Sequence, residues 1–192
     1  MVRQVQHREL PPARSRVTPH DHAVCVYDTE THAYRELNGF LREGLTAREV
    51  TTFVHAHPSS ADATRAMDRH IKDARLLRHA HDLLVAHHRD AFEIAGRIDA
   101  SHAVGVVGAL IRDARARGRA GTRIFVDASK EYLAAGRKEE WFAFESSLGP
   151  RLHAETSLVC AYEAKHLRDA DVLARVLATH AYRFASAGIR SV

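Results

Sequence analysis

The chain is expected to fold as α/β: a three-layer sandwich with a mostly parallel central sheet and helices on both faces. Two observations predict this. Short, continuous apolar runs of the kind found in strands buried on both faces recur along the chain. Between them lie longer stretches whose apolar residues repeat with the period of a helix, so strand and helix alternate to the C-terminal end.

Taken in order, residues 1–19 carry three prolines and no sustained period, which predicts an extended or flexible arm. Residues 20–192 are expected to form a single domain. Ala23 to Tyr27 is the first strand, and Thr29 or Thr31 can cap a helix with Tyr34, Leu37, Leu41 and Leu45 on one face. Gly44 or the turn after it is expected to stop that helix, and Val50 to Val54 is the second strand. Pro58, Ser59 and Ser60 open a helix with Met67, Ile71 and Ala74 inward, followed by a short strand over Leu83 to Val85 and an ambiguous stretch near His87–Gly96. Asp99 or Ser101 caps a helix burying Ala103, Val104, Val107, Leu110, Ile111 and Ala114, ended by Gly118. Thr122 to Val126 is the fourth strand. Arg137 to Leu148 is a helix burying Trp141, Phe144 and Leu148, stopped by Gly149-Pro150. Thr156 to Ala161 is the fifth strand. Asp169 or Asp171 caps a last helix through Leu173, Val176 and Leu177, and Tyr182 to Ala185 adds a final strand.

Composition narrows the function classes. No run approaches the roughly 18 apolar residues of a membrane span, and no signal-peptide core is present, so a cytoplasmic location is expected. Cys25 and Cys160 both lie in apolar strands and are read as reduced, buried thiols, a redox pair being the minor alternative if their strands are neighbours. The formal charge of +4 is mild, and its densest basic stretch, Arg112 to Arg123, falls at a helix end without interleaved aromatics. Direct nucleic-acid binding is not expected.

Residues 22–56 resemble the opening of a RecA-like ATPase: strand, helix, turn, strand. Such an ATPase carries G-x-x-x-x-G-K-[ST] between the first strand and helix. Here that stretch is Asp28-Thr29-Glu30-Thr31-His32, with neither glycine to wrap a phosphate nor lysine to reach it. The scaffold is RecA-like with no Walker A loop, a degenerate ATPase in form.

Seven segments in order are similar to one family, the MEDS domain, a methanogen/methylotroph sensory domain related to RecA/KaiC-like folds. They are HAVCVYD with His22 and Tyr27, FLREGLTAREV from Phe40 to Val50, and AFEIAGRID with Phe92, Gly96, Ile98 and Asp99. GTRIFVD, Phe144-Glu145, LVCAYE from Leu158 to Glu163, and THAY from Thr179 to Tyr182 complete the set. The chain departs from the family pattern at Asp127-Ala128-Ser129, where an acidic residue and an aromatic are usual, and at Ala181, where proline is usual. The resemblance implies a non-enzymatic sensor of small ligands, hydrocarbon derivatives among them. It also implies signal transduction and transcription regulation through a separate partner protein.

In an open parallel sheet, ligands bind beyond the carboxyl ends of the strands. Tyr27-Asp28, His55-His57, His87-His88, Asp127-Ala128-Ser129 and Tyr162-Glu163 are expected there, with Tyr27 and Tyr162 as walls carrying a polar handle. The candidate ligand-binding residues are His22, Tyr27, Arg123, Asp127, Glu145 and Tyr162. Asp127 is foremost a fold feature or helix cap, and Glu145, as a buried carboxylate, is expected to pair with Arg123. His22 is either a strand-start packing residue or part of the sensor. The fifteen histidines are read mainly as solvated, and no cofactor or metal is expected. If a metal does bind, His55 and His57 are the choice, and the alternative function is a metal-dependent hydrolase. A ligand-free interaction module is the third reading, and a homo-oligomer is suggested by analogy with RecA-like domains.

Overall fold

The computed structural model describes residues 10–19, 21–148, 151 and 156–186. Nine strands and eight α-helices are present among them. The strands are β1 (Ala13–Arg14), β2 (His22–Tyr27), β3 (Glu49–His55), β4 (Leu83–His87), β5 (Glu93–Ile94), β6 (Arg97–Ile98), β7 (Gly121–Asp127), β8 (Thr156–Glu163) and β9 (Arg183–Phe184). The helices are α1 (Glu30–Ala47), α2 (Ser60–His70), α3 (Ala74–His79), α4 (His88–Phe92), α5 (Ala100–Ala116), α6 (Ser129–Ala134), α7 (Lys138–Leu148) and α8 (Ala170–Thr179). Seven strands form one sheet in the order β1-β9-β2-β8-β7-β3-β4, and every pairing in it is parallel. β5 and β6 make a separate antiparallel hairpin.

Side chains alternate across a strand, and that alternation divides the core in two. Ala23, Cys25 and Tyr27 of β2 point to one face and pack with Leu37, Phe40 and Leu41 of α1 and Met67 of α2. Val24 points to the other, where Ile111 of α5, Tyr132 of α6, Trp141 and Phe144 of α7 and Val176 of α8 meet Ile124 and Leu158. The helices therefore cover both faces of a three-layer α/β sandwich. No helix among the described residues is long and apolar enough to cross a membrane.

Local signals set most helix starts. Thr29, Ser59, Asp99 and Asp169 each accept a backbone N–H of the first turn as N-cap. Four expectations need correction. The helix from Ser60 breaks after His70, because Asp73 adopts a left-handed φ of 71° and restarts the chain as α3, so Ile71 and Ala74 do not share one helix. In α8 the buried face is Val172 and Val176, while Leu173 and Leu177 are only half-buried. The arm expected over 1–19 is shorter: Ala13 and Arg14 pair with β9, the Arg14 guanidinium lies over the Tyr182 ring, and Val17 is buried in the core. Residues 1–9 and the stop at Gly149-Pro150 lie outside the described residues.

The fourth correction concerns Gly44, which lies inside α1; the helix ends only at Arg48, in the left-handed region with φ 59°. Its glycine is required by close approach. A Cβ there would stand 2.7 Å from Arg123 Cδ and 2.9 Å from Thr51 Oγ1. Gly44→Ala is expected to destabilise by about 1–3 kcal/mol through overpacking, against the ~1 kcal/mol that alanine ordinarily gains in a helix. Urea denaturation checks it; an equally or more stable variant would show that the contact yields freely.

The strand neighbours Cys25 and Cys160 belong to opposite faces, Cys160 being in register with Val24, and both are free thiols. No redox pair forms. Within the basic stretch Arg112, Arg115 and Arg117 are exposed, Arg117 pairs with Asp113 and Arg119 with Asp82, and of its arginines only Arg123 is buried.

Candidate functional site

The connections leaving adjacent strands diverge at the carboxyl edge. After β2 the chain enters α1 on one face, and after β8 it leads to α8 on the other, with Tyr27 in register with Glu163. This is where an open parallel sheet forms a crevice. The Tyr27 hydroxyl donates to Asp127 Oδ1 at 2.7 Å, and Lys130 Nζ stands 3.5 Å from Asp127 Oδ2. Burial, then the Asp127 charge, raises the Tyr27 phenol far above its ordinary value, which keeps it a donor. Tyr34 bonds His57 Nε2 at 2.8 Å and stacks on His70. Behind Asp127, between Tyr34, Leu37, Phe53 and Phe125, there is no room for a water molecule. The rim is filled by its own tyrosines and histidines.

The histidines at this edge turn inward. His55 is wholly buried and its Nδ1 accepts the His57 backbone N–H at 3.2 Å. His88 is also buried, with Nδ1 2.8 Å from the Tyr132 hydroxyl. Burial, and secondarily His87, lowers each to about 4, so both are neutral at pH 7. Their buried positions depart from the solvated reading. His55 Nδ1 is engaged by the His57 backbone and His57 Nε2 by Tyr34, and His55 Nε2 is buried without a hydrogen-bond partner among the described residues.

The remaining candidates separate. Arg123 lies at the opposite end of the sheet, 3% exposed, and does not pair with Glu145. Its Nε donates to Glu49 Oε2 at 2.8 Å and its Nη1 to Glu43 Oε2 at 3.0 Å and the Phe40 carbonyl at 2.7 Å. The expected pair fails because Arg123 points to the α1 face of the sheet while Glu145 is on α7, across it. Its guanidinium ties β7 to β3 and α1.

His22, Glu145 and Tyr162 do meet, inside the layer between the sheet and helices α7 and α8. Alternation sends Cys160 and Tyr162 of β8 to this face together. Trp141 Nε1 donates to the Tyr162 hydroxyl at 2.7 Å, and that hydroxyl donates to Glu145 Oε2 at 2.5 Å. His22 Nε2 is 3.3 Å from Cys160 Sγ, and the His22 and His180 rings lie 4.2 Å apart between centroids. His180, at the end of α8, has Nδ1 2.9 Å from the Val176 carbonyl and Nε2 3.9 Å from Glu145 Oε1. Burial dominates the electrostatics. It raises the Glu145 carboxyl to about 7 against the lowering by Tyr162 and Cys160, raises the Cys160 thiol well above its usual value, and lowers His180 to about 4.

Cys160 and His180 are the members that sequence reasoning did not select, since a buried thiol in a strand reads as inert and His180 falls between two elements. A further space lies apart from this cluster. It is an apolar cavity of about 320 Å³ between β3, β4, β7 and α5, bordered by Val54, Leu84, Ala86, Phe92, Val107 and Leu110. Thr52 borders it, and its buried hydroxyl has no hydrogen-bond partner among the described residues.

A parallel α/β sandwich whose first strand-to-helix turn has no glycine defines a three-layer domain of non-P-loop construction. Residues 21–181 match the family model described as MEDS, the MEthanogen/methylotroph, DcmR Sensory domain. The chain belongs to this family of sensory domains. No curated protein matches it.

Proposed function

We propose that the domain senses a small apolar molecule held in the cavity under α5, and acts through a separate signalling partner without catalysing a reaction. The observation that carries this reading is the cavity itself. Its volume of about 320 Å³ lies within the roughly 300–1,000 Å³ of small-molecule sites, and apolar side chains border it. Thr52 is the polar residue at its border, and a rotation of its buried, unpaired hydroxyl toward the cavity would offer a handle to a short alcohol, ketone or halocarbon. A membership in a sensory family supports the role, and the ligand class implied by the resemblance fits an apolar space.

A thermal-shift screen of the purified protein against short alcohols, ketones, halocarbons, ATP and GTP tests it. A ligand binding the folded state alone at about 100 times its Kd stabilises by ~2.7 kcal/mol. One organic class is expected to raise Tm in the native protein and to lose that effect in Leu110→Trp, which fills the cavity. Thr52→Val is expected to weaken oxygen-bearing ligands selectively. If no organic compound shifts Tm, or if Leu110→Trp responds like the native protein, the cavity is not the sensor site and a ligand-free docking role replaces this reading.

A further inference from the structure

We propose that His22, Glu145, Cys160 and His180 form a four-ligand site for a divalent transition metal of the zinc type, closed within the domain between β2, β8, α7 and the end of α8. One donor atom from each residue lies within 4.8 Å of every other. A tetrahedral zinc ion with bonds of 2.0–2.3 Å holds its donors about 3.3–3.8 Å apart. His22 Nε2 and Cys160 Sγ already stand at 3.3 Å, and the His180 to Glu145 separation of 3.9 Å is close to this spacing. The widest separation the set allows, 4.8 Å, exceeds this spacing by about 1.0–1.5 Å. Among the described residues no other group of histidine, cysteine and carboxylate donors converges in this way.

Two of the four ligands, His180 and Glu145, are oriented by a partner on the far side, as metal ligands generally are. The Val176 carbonyl can only accept, so His180 Nδ1 carries the proton and Nε2 presents its lone pair to the cluster. Tyr162 holds Glu145 through Oε2 and is itself held by Trp141, leaving Oε1 facing inward. These two inward atoms, Glu145 Oε1 and His180 Nε2, are buried without a hydrogen-bond partner, on residues 1% and 3% exposed. A self-contained polar cluster would be expected to pair them, because an unsatisfied buried group costs about 1–3 kcal/mol. Two acceptors facing one point fit a cation between them.

The donor chemistry agrees. One thiolate, one carboxylate and two neutral imidazoles balance a divalent charge, and nitrogen and sulfur ligands select zinc-like metals over calcium or magnesium. Four protein ligands leave no open coordination position, which marks a structural or sensory metal and sets this centre apart from a hydrolytic one.

The test is a cobalt titration of the full chain after stripping with a chelator, with zinc competition. One Co²⁺ per chain is expected, with a thiolate-to-cobalt charge-transfer band in the near ultraviolet that Zn²⁺ abolishes. Cys160→Ser is expected to remove the band, and Cys25→Ser to retain it. Tyr162→Phe keeps all four ligands and removes only the outer support of Glu145, so affinity is expected to fall about 10–100-fold with the band preserved. Because Cys160→Ser could unfold, Glu145→Gln serves as a near-isosteric second variant, checked by circular dichroism, and is expected to weaken binding more than Tyr162→Phe does. Absence of a thiolate band in the folded native protein overturns the site. So does a band that survives in Cys160→Ser or an affinity unchanged in Glu145→Gln. These outcomes are independent of whether the apolar cavity binds an organic ligand.

Discussion

Replacing Arg123 with alanine is expected to cost about 3–5 kcal/mol of stability, the range for removing one partner of a buried ion pair. Its guanidinium joins Glu49 on β3, Glu43 and the Phe40 carbonyl on α1, and lies 4.4 Å from the centre of the Phe40 ring. Without it, Glu49 is left at 7% exposure with no cation, and the α1 backbone loses a donor. Arg123→Lys restores the charge but not the fork that reaches two carboxylates and a carbonyl at once, so it is expected to recover part of the loss. Urea denaturation of the three proteins decides it; a deficit below about 1 kcal/mol for the alanine variant would mean that the glutamates find water instead.

Lowering the pH from 7 to 4 is expected to be almost as damaging. His55 and His88 are held at about 4 in the fold, whereas in the unfolded chain each titrates near 6.5. Between those values the unfolded chain binds protons that the native state refuses, so stability rises with pH across the window. It is complete above about pH 6.5 and is lost as the pH falls through about 4. Each shift corresponds to at most roughly 3 kcal/mol, and the pair to several. Glu145 has the opposite sign: its contribution is present below the unfolded carboxyl value and lost as pH rises through about 7. Denaturation midpoints at pH 7, 5.5 and 4.5 measure the balance. His88→Gln should flatten the acid limb, and an equally steep limb in that variant would assign the effect elsewhere.

The layers and the longer strands of the main sheet were legible because their signals are local: apolar runs for buried strands, and Thr29, Ser59, Asp99 and Asp169 as caps. The short elements were not. The two-residue β1 depends on pairing with a strand some 170 positions away in the chain, and α6 is a single short helix after β7 with no side-chain cap. Of the candidate residues, Tyr27 with Asp127 follows from strand-end logic. The meeting of His22, Glu145 and Tyr162 follows only from strand order, because β8 returns to lie beside β2. That same return brings Cys160 opposite Val24 and His180 over His22, a juxtaposition that spacing along the chain does not contain. Arg123 and Glu145 were paired in expectation by charge alone, and the sheet lies between them.

Trp141 is the chain's single tryptophan. It stacks on Tyr132, with ring centres 4.9 Å apart, and lies 6.3 Å from Phe92, which borders the apolar cavity. On its other side it donates to Tyr162, the hydroxyl that steers Glu145. One indole thus stands between the two places where this domain could take up a guest. Its fluorescence is a built-in optical gauge: occupancy of the cavity would act on the ring through Phe92, and filling of the polar cluster would act on its N–H through Tyr162, so the same emission can follow both without a label.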